Sequence, residues 1–437
     1  MTDNSAPPRA TRRQVLGMAG LAAAAPILGA GPIAPASASA ARTAASAPIA
    51  ESGAWCWFGD PRAIHVDGRT YVSYITRAGE IACSVYDHAD GQLSTSVLQT
   101  GFQIDDHNNP SIVRRPDGHL VVFWTEHGHN DAPIYYRRSV APDDASDWEP
   151  RKEMRQNTSG RYGWTYPNLA QLSEEPNKLY MFFRAANWDA AFTSTSGADV
   201  WAPAQSLVTN PGERPYLKQH SNGVGRIHFA FTEGHPRNVH TSVYYMCYDA
   251  ADQNLHRADG SVIGPLGTPV RAEEADVVYD ADGAPKAWVW DVAEDADGNP
   301  VVVYANFPSD SDHRYRYARW NSGGWQDVEM TSAGDRIPSD PSEPLYSGGL
   351  SLDHADPSTV VLSRQHDGGF HRIERWRTPD GGQTWTSEVI TPEPTELNAR
   401  PVIPHGLTGG GAMSVLWMAG SYTHYTDYET RIMALTG

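Results

Sequence analysis

A short strand that usually carries a proline, followed by a polar turn, recurs along this chain. The recurring segments read, in order, GDPRAIHVDG, NNPSIVRRPDG, TYPNLAQLSEE, ERPYLKQHSNG, WVWDVAEDADG, YSGGLSLDHAD and ARPVIPHGLTG. Their centres, near residues 61, 110, 167, 215, 291, 347 and 401, are mostly about 50 to 70 residues apart. One four-stranded sheet with its loops has this length, so seven repeats predict an all-β, seven-bladed β-propeller. A pair of β-sandwiches is the alternative, and the regular spacing disfavours it.

The segments between these repeats have the composition of strands. Runs such as RTYVSYIT, HLVVFWTE, KLYMFFRA and RIHFAFTE alternate apolar and polar residues and are rich in aromatic and β-branched side chains. Helical periodicity is almost absent. The segment Thr378-Pro-Asp-Gly-Gly-Gln-Thr-Trp385 fits the S/T-x-D-x-G-x-T-W turn called an Asp-box, in which the Asp closes a hairpin and the Trp packs between blades. That motif predicts structure and not catalysis.

The first forty residues have the features of an export signal. Thr11-Arg-Arg-Gln-Val-Leu16 is a twin-arginine pattern, and an apolar stretch and the small residues Ala-Ser-Ala-Ser-Ala at 36–40 follow it. An uncleaved membrane anchor is disfavoured because Pro26 and Pro32 interrupt the apolar stretch. We therefore expect a signal peptide over 1–40, a short linker over 41–50 and one propeller domain over 51–437. The mature protein is expected to be secreted, monomeric and free of the membrane.

Charge and cysteine content exclude several classes of function. The net charge is −18, which disfavours binding to nucleic acid but leaves room for a local basic pocket that holds an anionic substrate. The three cysteines, Cys56, Cys83 and Cys247, allow one disulfide and no disulfide framework.

In a propeller, the loops that enter the innermost strands converge at one end of the channel, so residues distant in sequence meet there. The polar residues at these positions are Asp60, Arg62, His107, Asn108, Asn109, Tyr166, Asn168, Arg214, Tyr216, Asp291 and Arg400. Neighbouring strand ends add His127, His129, Arg184, His235 and Tyr244. The set combines arginines, histidines and tyrosines.

This combination is typical of proton abstraction next to a carboxylate. Asp60 and Asp291 could form the carboxylate pair of a glycoside hydrolase, but both also fit as ion-pair partners. Neither a serine nucleophile elbow nor a His-Glu-x-x-His motif is present. In a 4-linked uronic acid, arginine can neutralise the carboxylate, while histidine and tyrosine move the C5 proton and protonate O4.

The segments DDHNNPSI, DGHLVVFWTEHGH and FTEGHPRNVHTSVYY, with the Tyr-Pro-Asn and Phe-Phe-Arg strands, resemble the BNR-repeat (Asp-box) propellers that contain polysaccharide lyases. The resemblance covers nearly the whole mature chain. It is strongest to the ulvan lyases and the L-rhamnose-α-1,4-D-glucuronate lyases, which cut a rhamnose–glucuronate linkage. The resemblance implies a lyase that cleaves ulvan or an arabinogalactan of the gum-arabic type by β-elimination. An α-L-rhamnosidase on the same scaffold and a non-catalytic carbohydrate-binding propeller are the alternatives.

The resemblance also implies roles for individual residues. His107 contacts the uronate or shares in proton transfer, His127 orients the substrate, Tyr166 is base, acid or both, and Arg184 neutralises the carboxylate. Five further residues are expected to bind substrate: Asn109, Arg62, Arg214, His235 and Tyr244, with Tyr245 as the competitor of Tyr244. No organic cofactor is implied.

The same resemblance implies one structural zinc or calcium ion, whose ligands the sequence does not identify. His235, His240 and Cys247 have a mixed spacing that loosely suits zinc. Strand alternation places them on no single face, so the signal is weak.

Overall fold

Seven antiparallel sheets form a ring around a central channel in this computed structural model. The structure describes residues 45–129, 132–155, 163–197 and 199–437. The prediction of a seven-bladed β-propeller is confirmed. The expected signal peptide over 1–40 lies outside the described residues. No described helix is long and apolar enough to cross a membrane.

The first strand of the chain, β1 (Ser46–Ala50), belongs to the last blade. Blades 1 to 3 follow, each from the channel outward. Blade 1 contains β2 (Ala63–Val66), β3 (Arg69–Ile75), β4 (Ile81–Asp87) and β5 (Leu93–Gln99). Blade 2 contains β6 (Ser111–Arg114), β7 (Leu120–Thr125), β8 (Ile134–Arg138) and β9 (Lys152–Met154). Blade 3 contains β10 (Thr165–Gln171), β11 (Leu179–Arg184), β12 (Ala190–Thr195) and β13 (Gln205–Val208).

Blade 4 is enlarged to six strands, β14 (Tyr216–Ser221), β15 (Arg226–Thr232), β16 (Val243–Asp249), β17 (Asn254–His256), β18 (Val262–Pro265) and β19 (Asp276–Tyr279). Blade 5 contains β20 (Lys286–Glu294), β21 (Pro300–Ser309), β22 (Asp312–Asn321) and β23 (Gly324–Gly334). Blade 6 contains β24 (Leu350–Leu352), β25 (Thr359–Gln365), β26 (His371–Arg377) and β27 (Thr386–Val389). Blade 7 contains β28 (Leu397–Val402), β29 (Leu416–His424), β30 (Asp427–Leu435) and β1.

Both ends of the chain build blade 7. Strand β1 pairs antiparallel with β30, with Ser46 opposite Leu435. The expectation of a linker over 41–50 is therefore wrong for Ser46–Ala50. Without β1, the outer edge of β30 would expose unpaired backbone groups, and pairing with β1 also closes the ring. No sequence signal marks this strand, since it lies far along the chain from the blade that it completes.

Each recurring segment of the sequence lies at or within the innermost strand of a blade, as predicted. The chain that precedes β2, residues 54–60, fills the middle of the channel. Trp57 stacks on Trp290 with ring centroids 4.2 Å apart, and Phe58 lies 4.8 Å from the ring of Tyr216. The channel is consequently a packed core, and chemistry is confined to its ends.

The Asp-box forms the turn that its sequence predicts. The Asp380 carboxylate accepts hydrogen bonds from the backbone N–H of Thr384 at 2.8 Å and from its hydroxyl at 2.6 Å. Trp385 packs edge-on against Tyr317 of blade 5, 5.2 Å away. This motif therefore joins blades 5 and 6, far from the channel residues. The three cysteines are free and buried.

Candidate active site

The entrances of blades 2 and 3 bring together the four residues predicted to be catalytic. His107 lies in a 3₁₀ turn, Asp106–Asn108, immediately before β6, and His127 follows β7 in the same blade. Tyr166 is the second residue of β10, and Arg184 ends β11. The ring of His107 lies 4.3 Å from that of His127 and 5.7 Å from that of Tyr166. The Arg184 guanidinium carbon lies 4.8 Å from the Tyr166 ring centroid.

Asp105 holds the two histidines as a stacked pair. Its carboxylate accepts from the backbone N–H of His107 and thereby caps the 3₁₀ turn. One carboxylate oxygen lies 2.7 Å from Nδ1 of His107 and the other lies 2.8 Å from Nδ1 of His127. The two imidazole planes are inclined by only 13°. A single carboxylate therefore fixes the tautomer and orientation of both rings.

The surroundings shift the pKa values of His107 and His127 in opposite directions. Burial alone would lower the pKa of His107, but the negative charges of the neighbouring Asp105 and Asp106 carboxylates oppose it, and the pKa is raised well above its usual value. Burial and the charge of His107 lower the pKa of His127 to about 4. Because two cations this close repel each other, the pair holds one extra proton near neutral pH.

His127 then has a free lone pair. Its Nδ1–H donates to Asp105, and its Nε2 has no hydrogen-bond partner among the residues that the structure describes. Its side chain is 19% exposed, against 4% for His107. His127 is thus the member of the pair that can accept a proton from a ligand.

Arg184 carries a buried charge without a counter-ion. The residue is 8% exposed, and its guanidinium lies over the rings of Tyr166 and Tyr216 and donates to the Tyr216 hydroxyl at 3.1 Å. Within the described part of the chain it forms no ion pair. A buried cation is costly unless an anion compensates it, so this position favours an anionic ligand.

Tyr166 is held in an uncommon backbone conformation. Its φ is 61°, and the register of β10 against β11 shifts between Thr165, which pairs with Arg184, and Asn168. Pro167 lacks a backbone N–H, which suits such an interruption of the ladder. Burial raises the pKa of Tyr166, although the charges of His107 and Arg184 oppose this. The phenol is therefore protonated at neutral pH and can donate.

Two of the residues predicted to bind substrate adjoin this cluster. The Arg214 guanidinium carbon lies 5.6 Å from the Trp188 ring centroid, and Nε of Arg214 is buried without a hydrogen-bond partner. His235 packs edge-on against Tyr216, 5.4 Å away, and its Nδ1 accepts a backbone N–H. Burial and the nearby cations Arg214, Arg237 and Arg184 lower the pKa of His235 to about 2. His235 is therefore a neutral donor through Nε2.

The other three residues predicted to bind substrate, Arg62, Asn109 and Tyr244, are either engaged in hydrogen bonds or distant from this cluster. Arg62 is 5% exposed and donates to Asp60 at 2.8 Å. Asn109 is buried, and its amide bonds backbone groups of the channel segment 54–60. Tyr244 stacks on Phe231 in the middle of blade 4, at the edge of a separate apolar cluster. Strand β16 is the third strand from the channel, so its side chains do not reach the axis.

The proposed carboxylate pair of a hydrolase is not formed by Asp60 and Asp291. Asp60 bonds Arg62 and Lys218, and the Asp291 carboxylate lies 3.1 Å from Nε2 of His354. The loosely predicted zinc group also does not assemble. The Nε2 of His240 bonds two backbone carbonyls, and no cluster of metal-ligating side chains among the described residues contains it.

Sequence reasoning missed residues that complete the cluster. The hydroxyl of Tyr346 lies 3.3 Å from Nε2 of His107, and the ring of Tyr425 stands edge-on to His107 at 4.6 Å. Tyr346 begins the sixth recurring segment, so its position offered a signal. Tyr425 lies in the turn between β29 and β30, outside every repeat, and offered none.

Comparisons with known proteins agree with this fold. Residues 69–333 match the family model described as "BNR repeat-containing family member", and the chain belongs to that family. It is 23% identical over 378 residues to an ulvan lyase (PL25) of Pseudoalteromonas sp. (strain PLSV), covering 72% of this chain and 73% of the relative. The resemblance to ulvan lyases is thereby confirmed.

Two solved structures share the architecture. A PL25 ulvan lyase bound to -[GlcA(1-4)Rha3S]- superimposes with a TM-score of 0.68 at 17% identity, covering 88% of this chain and 94% of that one. The polysaccharide lyase Uly1 superimposes with a TM-score of 0.56 at 13% identity, covering 87% and 90%. The chain is thus a BNR-repeat propeller related to polysaccharide lyases.

Proposed function

We propose that this protein is a polysaccharide lyase that cleaves next to a uronic acid by β-elimination. The observation that carries the proposal is Arg184, a buried cation that pairs with no carboxylate of the described residues, beside a tyrosine and a histidine pair that differ in protonation. A uronate carboxylate supplies the missing anion. Kinship with ulvan lyases supports the same conclusion.

Binding of the carboxylate is the first chemical step. Arg184 and the protonated His107 both lie beside Tyr166, and they supply positive charge to a uronate carboxylate bound there. Neutralising the carboxylate stabilises the negative charge that develops on it when the C5 proton leaves, which makes that proton more acidic. His107, Tyr166 and Arg184 are all buried, so these charges act with less screening than at the surface.

Proton transfer is divided between two residues. Nε2 of His127 accepts the C5 proton, and the electron pair of the C5–H bond forms the C4–C5 double bond as the C4–O4 bond breaks. The Tyr166 phenol donates its proton to O4 of the departing sugar. The proton on His127 then returns to the phenolate, which restores both groups for the next cycle.

For the substrate, we propose the rhamnose-α-1,4-glucuronate linkage of ulvan or of arabinogalactan. A relative is bound to -[GlcA(1-4)Rha3S]-, which contains glucuronate and sulfated rhamnose. Arg214, whose Nε has no hydrogen-bond partner among the described residues, and Trp188 offer a cation and an aromatic face at the edge of the same cluster. We further propose export through the twin-arginine signal over 1–40, and a monomer without an organic cofactor.

Incubation with ulvan, gum arabic and de-esterified arabinogalactan tests the activity. We expect at least one of them to yield an ultraviolet-absorbing unsaturated uronate together with new reducing ends. Release of free rhamnose without new absorbance would identify a rhamnosidase instead. Retention of unchanged glycan would identify a binding protein. Sequencing the N-terminus of the protein recovered from the culture medium tests cleavage after the signal.

Activity should depend on pH in a manner set by the histidine pair. We expect kcat/KM to fall as the pH drops through about 4, because protonated His127 cannot accept a proton. At alkaline pH, kcat/KM should also fall once the pH exceeds the raised pKa of His107, because the imidazole then loses its positive charge. Asp105→Asn removes the anion that supports that charge, so the alkaline limb should move to lower pH. Initial rates of product absorbance across the pH range measure both limbs.

Asp117→Asn is the control for this shift, since Asp117 is a surface carboxylate of blade 2 that pairs with Arg138. It should leave both limbs in place. An alkaline limb that does not move in Asp105→Asn contradicts the role given to the histidine pair.

A further inference from the structure

A cleft between blades 6 and 7 lies at the same end of the channel as the candidate active site. It has a volume of about 620 Å³, and its walls are the chain after β23, the turn between β25 and β26, and the end of β29. The first strand of each blade starts at the entrance and neighbouring strands are antiparallel, so β23, β25 and β29 all end there. None of the residues that line the cleft is singled out by the sequence.

The cleft and the active site share a wall. Tyr422 lines the cleft, and its hydroxyl donates to Asp106, the neighbour of His107. The backbone carbonyl of Tyr422 accepts the N–H of Ser339 at 3.2 Å, which joins two sides of the cleft. Three residues further along the chain, Tyr425 stands edge-on to His107. A polysaccharide that crosses the channel entrance can therefore occupy both the active site and the cleft.

Arg336 supplies a weakly paired cation to the cleft. Its Nε is buried and has no hydrogen-bond partner in the part of the chain that the structure describes. The ion pair recorded for it joins Nη1 to the partly exposed Asp335 carboxylate, 3.8 Å away and beyond hydrogen-bond distance. Such a surface pair contributes little to stability, so the guanidinium retains donors for an anionic ligand.

Neighbouring side chains add a second donor and an apolar face. The Oε1 of Gln365 accepts the backbone N–H of Asp335 at 3.2 Å, which leaves the two N–H groups of its amide for a ligand. Phe370 is 53% exposed in the turn between β25 and β26. Nε2 of His371 donates to the Asp335 carbonyl at 3.1 Å and so holds this turn against the chain after β23. A cation, an amide and an exposed aromatic ring together suit an anionic sugar.

We propose that this cleft is a distal subsite for an anionic sugar of the polysaccharide. Arg336 bonds the carboxylate or sulfate of that sugar, and Phe370 packs on the sugar ring. The inference rests on the proposed function for the identity of the ligand. Arg214 and Trp188 adjoin the active site from blades 3 and 4, so the cleft extends the binding surface to the opposite side of the entrance. It contacts no reacting atom and therefore affects KM rather than kcat.

The dependence of the rate on chain length tests the subsite. Arg336→Met and Phe370→Ala should each raise KM for the full-length polysaccharide by about 5–10-fold with kcat unchanged. For the shortest oligosaccharide that the protein cleaves, KM should stay the same, because such a ligand fills only the active site. Arg431→Met is the matched control, since Arg431 is a partly exposed arginine of blade 7 outside the cleft that bonds Glu396 at 3.0 Å. It should leave both KM values unchanged.

Binding measured without turnover separates this inference from the proposed lyase. Calorimetric titration of Tyr166→Phe protein with ulvan, gum arabic or de-esterified arabinogalactan should give a Kd that adding Arg336→Met raises by about 5–10-fold. The same increase on a glycan that wild-type protein does not cleave would support the subsite and contradict the lyase. Cleavage with KM and Kd unaltered by Arg336→Met and Phe370→Ala would contradict the subsite alone. Binding of none of the three glycans would overturn both.

Chemical desulfation of ulvan identifies the anion at Arg336. If the effect of Arg336→Met on Kd disappears with desulfated ulvan, the subsite binds a sulfate ester. If the effect persists, the subsite binds a uronate carboxylate, and gum arabic should show it as well. Either result supports the subsite, whereas an equal loss of affinity in Arg431→Met would show that the cleft has no special part in binding.

Discussion

Arg184→Met is expected to lower kcat/KM for the cleaved polysaccharide by about 10²–10³-fold without lowering the stability of the fold. The guanidinium is buried and has no carboxylate of its own among the described residues, so methionine removes a charge that no protein anion compensates. The same deletion removes the cation that neutralises the uronate. Rates of unsaturated product formation measure the first effect, and urea unfolding measures the second.

Arg400→Met is the matched control. Arg400 is fully buried and also lies over aromatic rings, but it pairs with Asp106 at 2.5 Å and donates to the Tyr422 hydroxyl at 2.8 Å. Its removal leaves the buried Asp106 carboxylate without a charged partner, which lowers the free energy of unfolding by about 3–5 kcal/mol. Equal destabilisation by the two substitutions would refute the claim that Arg184 is uncompensated. Full activity in Arg184→Met would remove it from the mechanism.

The comparison of these two arginines shows that the sequence predicts where a residue lies better than it predicts which partner that residue has. Arg400 lies in the inner strand β28, where the repeat placed it, whereas Arg184 ends β11, the second strand of blade 3. Arg400 is paired because Asp106, nearly 300 positions away in the chain, lies beside it, whereas no described carboxylate pairs with Arg184. The spacing of the repeats predicts which positions converge at the channel, but it does not predict which of these side chains form ion pairs.

The same limit explains the residues that the sequence placed less well. Tyr244 was chosen by local alternation, which cannot tell the third strand of a blade from the first. Asn109 lies where the repeat predicts, but the channel segment 54–60 uses its amide. Strand β1 lies outside the recurring segments, so the repeat spacing does not predict that it pairs with β30 and closes the ring.

Tyr166→Phe is expected to lower kcat by about 10²–10⁴-fold with little change in substrate binding. The substitution removes the hydroxyl and retains the ring on which Arg184 lies, 4.8 Å from the ring centroid. The uronate carboxylate is still neutralised, but O4 leaves without a proton. Tyr244→Phe, which removes a hydroxyl distant from the cluster, should leave kcat unchanged and is the control.

A synthetic uronate with a nitrophenol at C4 separates the two proton transfers. Nitrophenolate departs without protonation, so Tyr166→Phe should cleave this substrate at close to the wild-type rate if Tyr166 is only the acid. His127→Ala should remain slow on it, because the C5 proton must still be removed. If Tyr166→Phe stays slow while His127→Ala recovers, the roles are reversed, and the tyrosine takes the C5 proton. That outcome would require a phenolate in the bound state, stabilised by the two cations, His107 and Arg184, that already oppose the rise of its pKa.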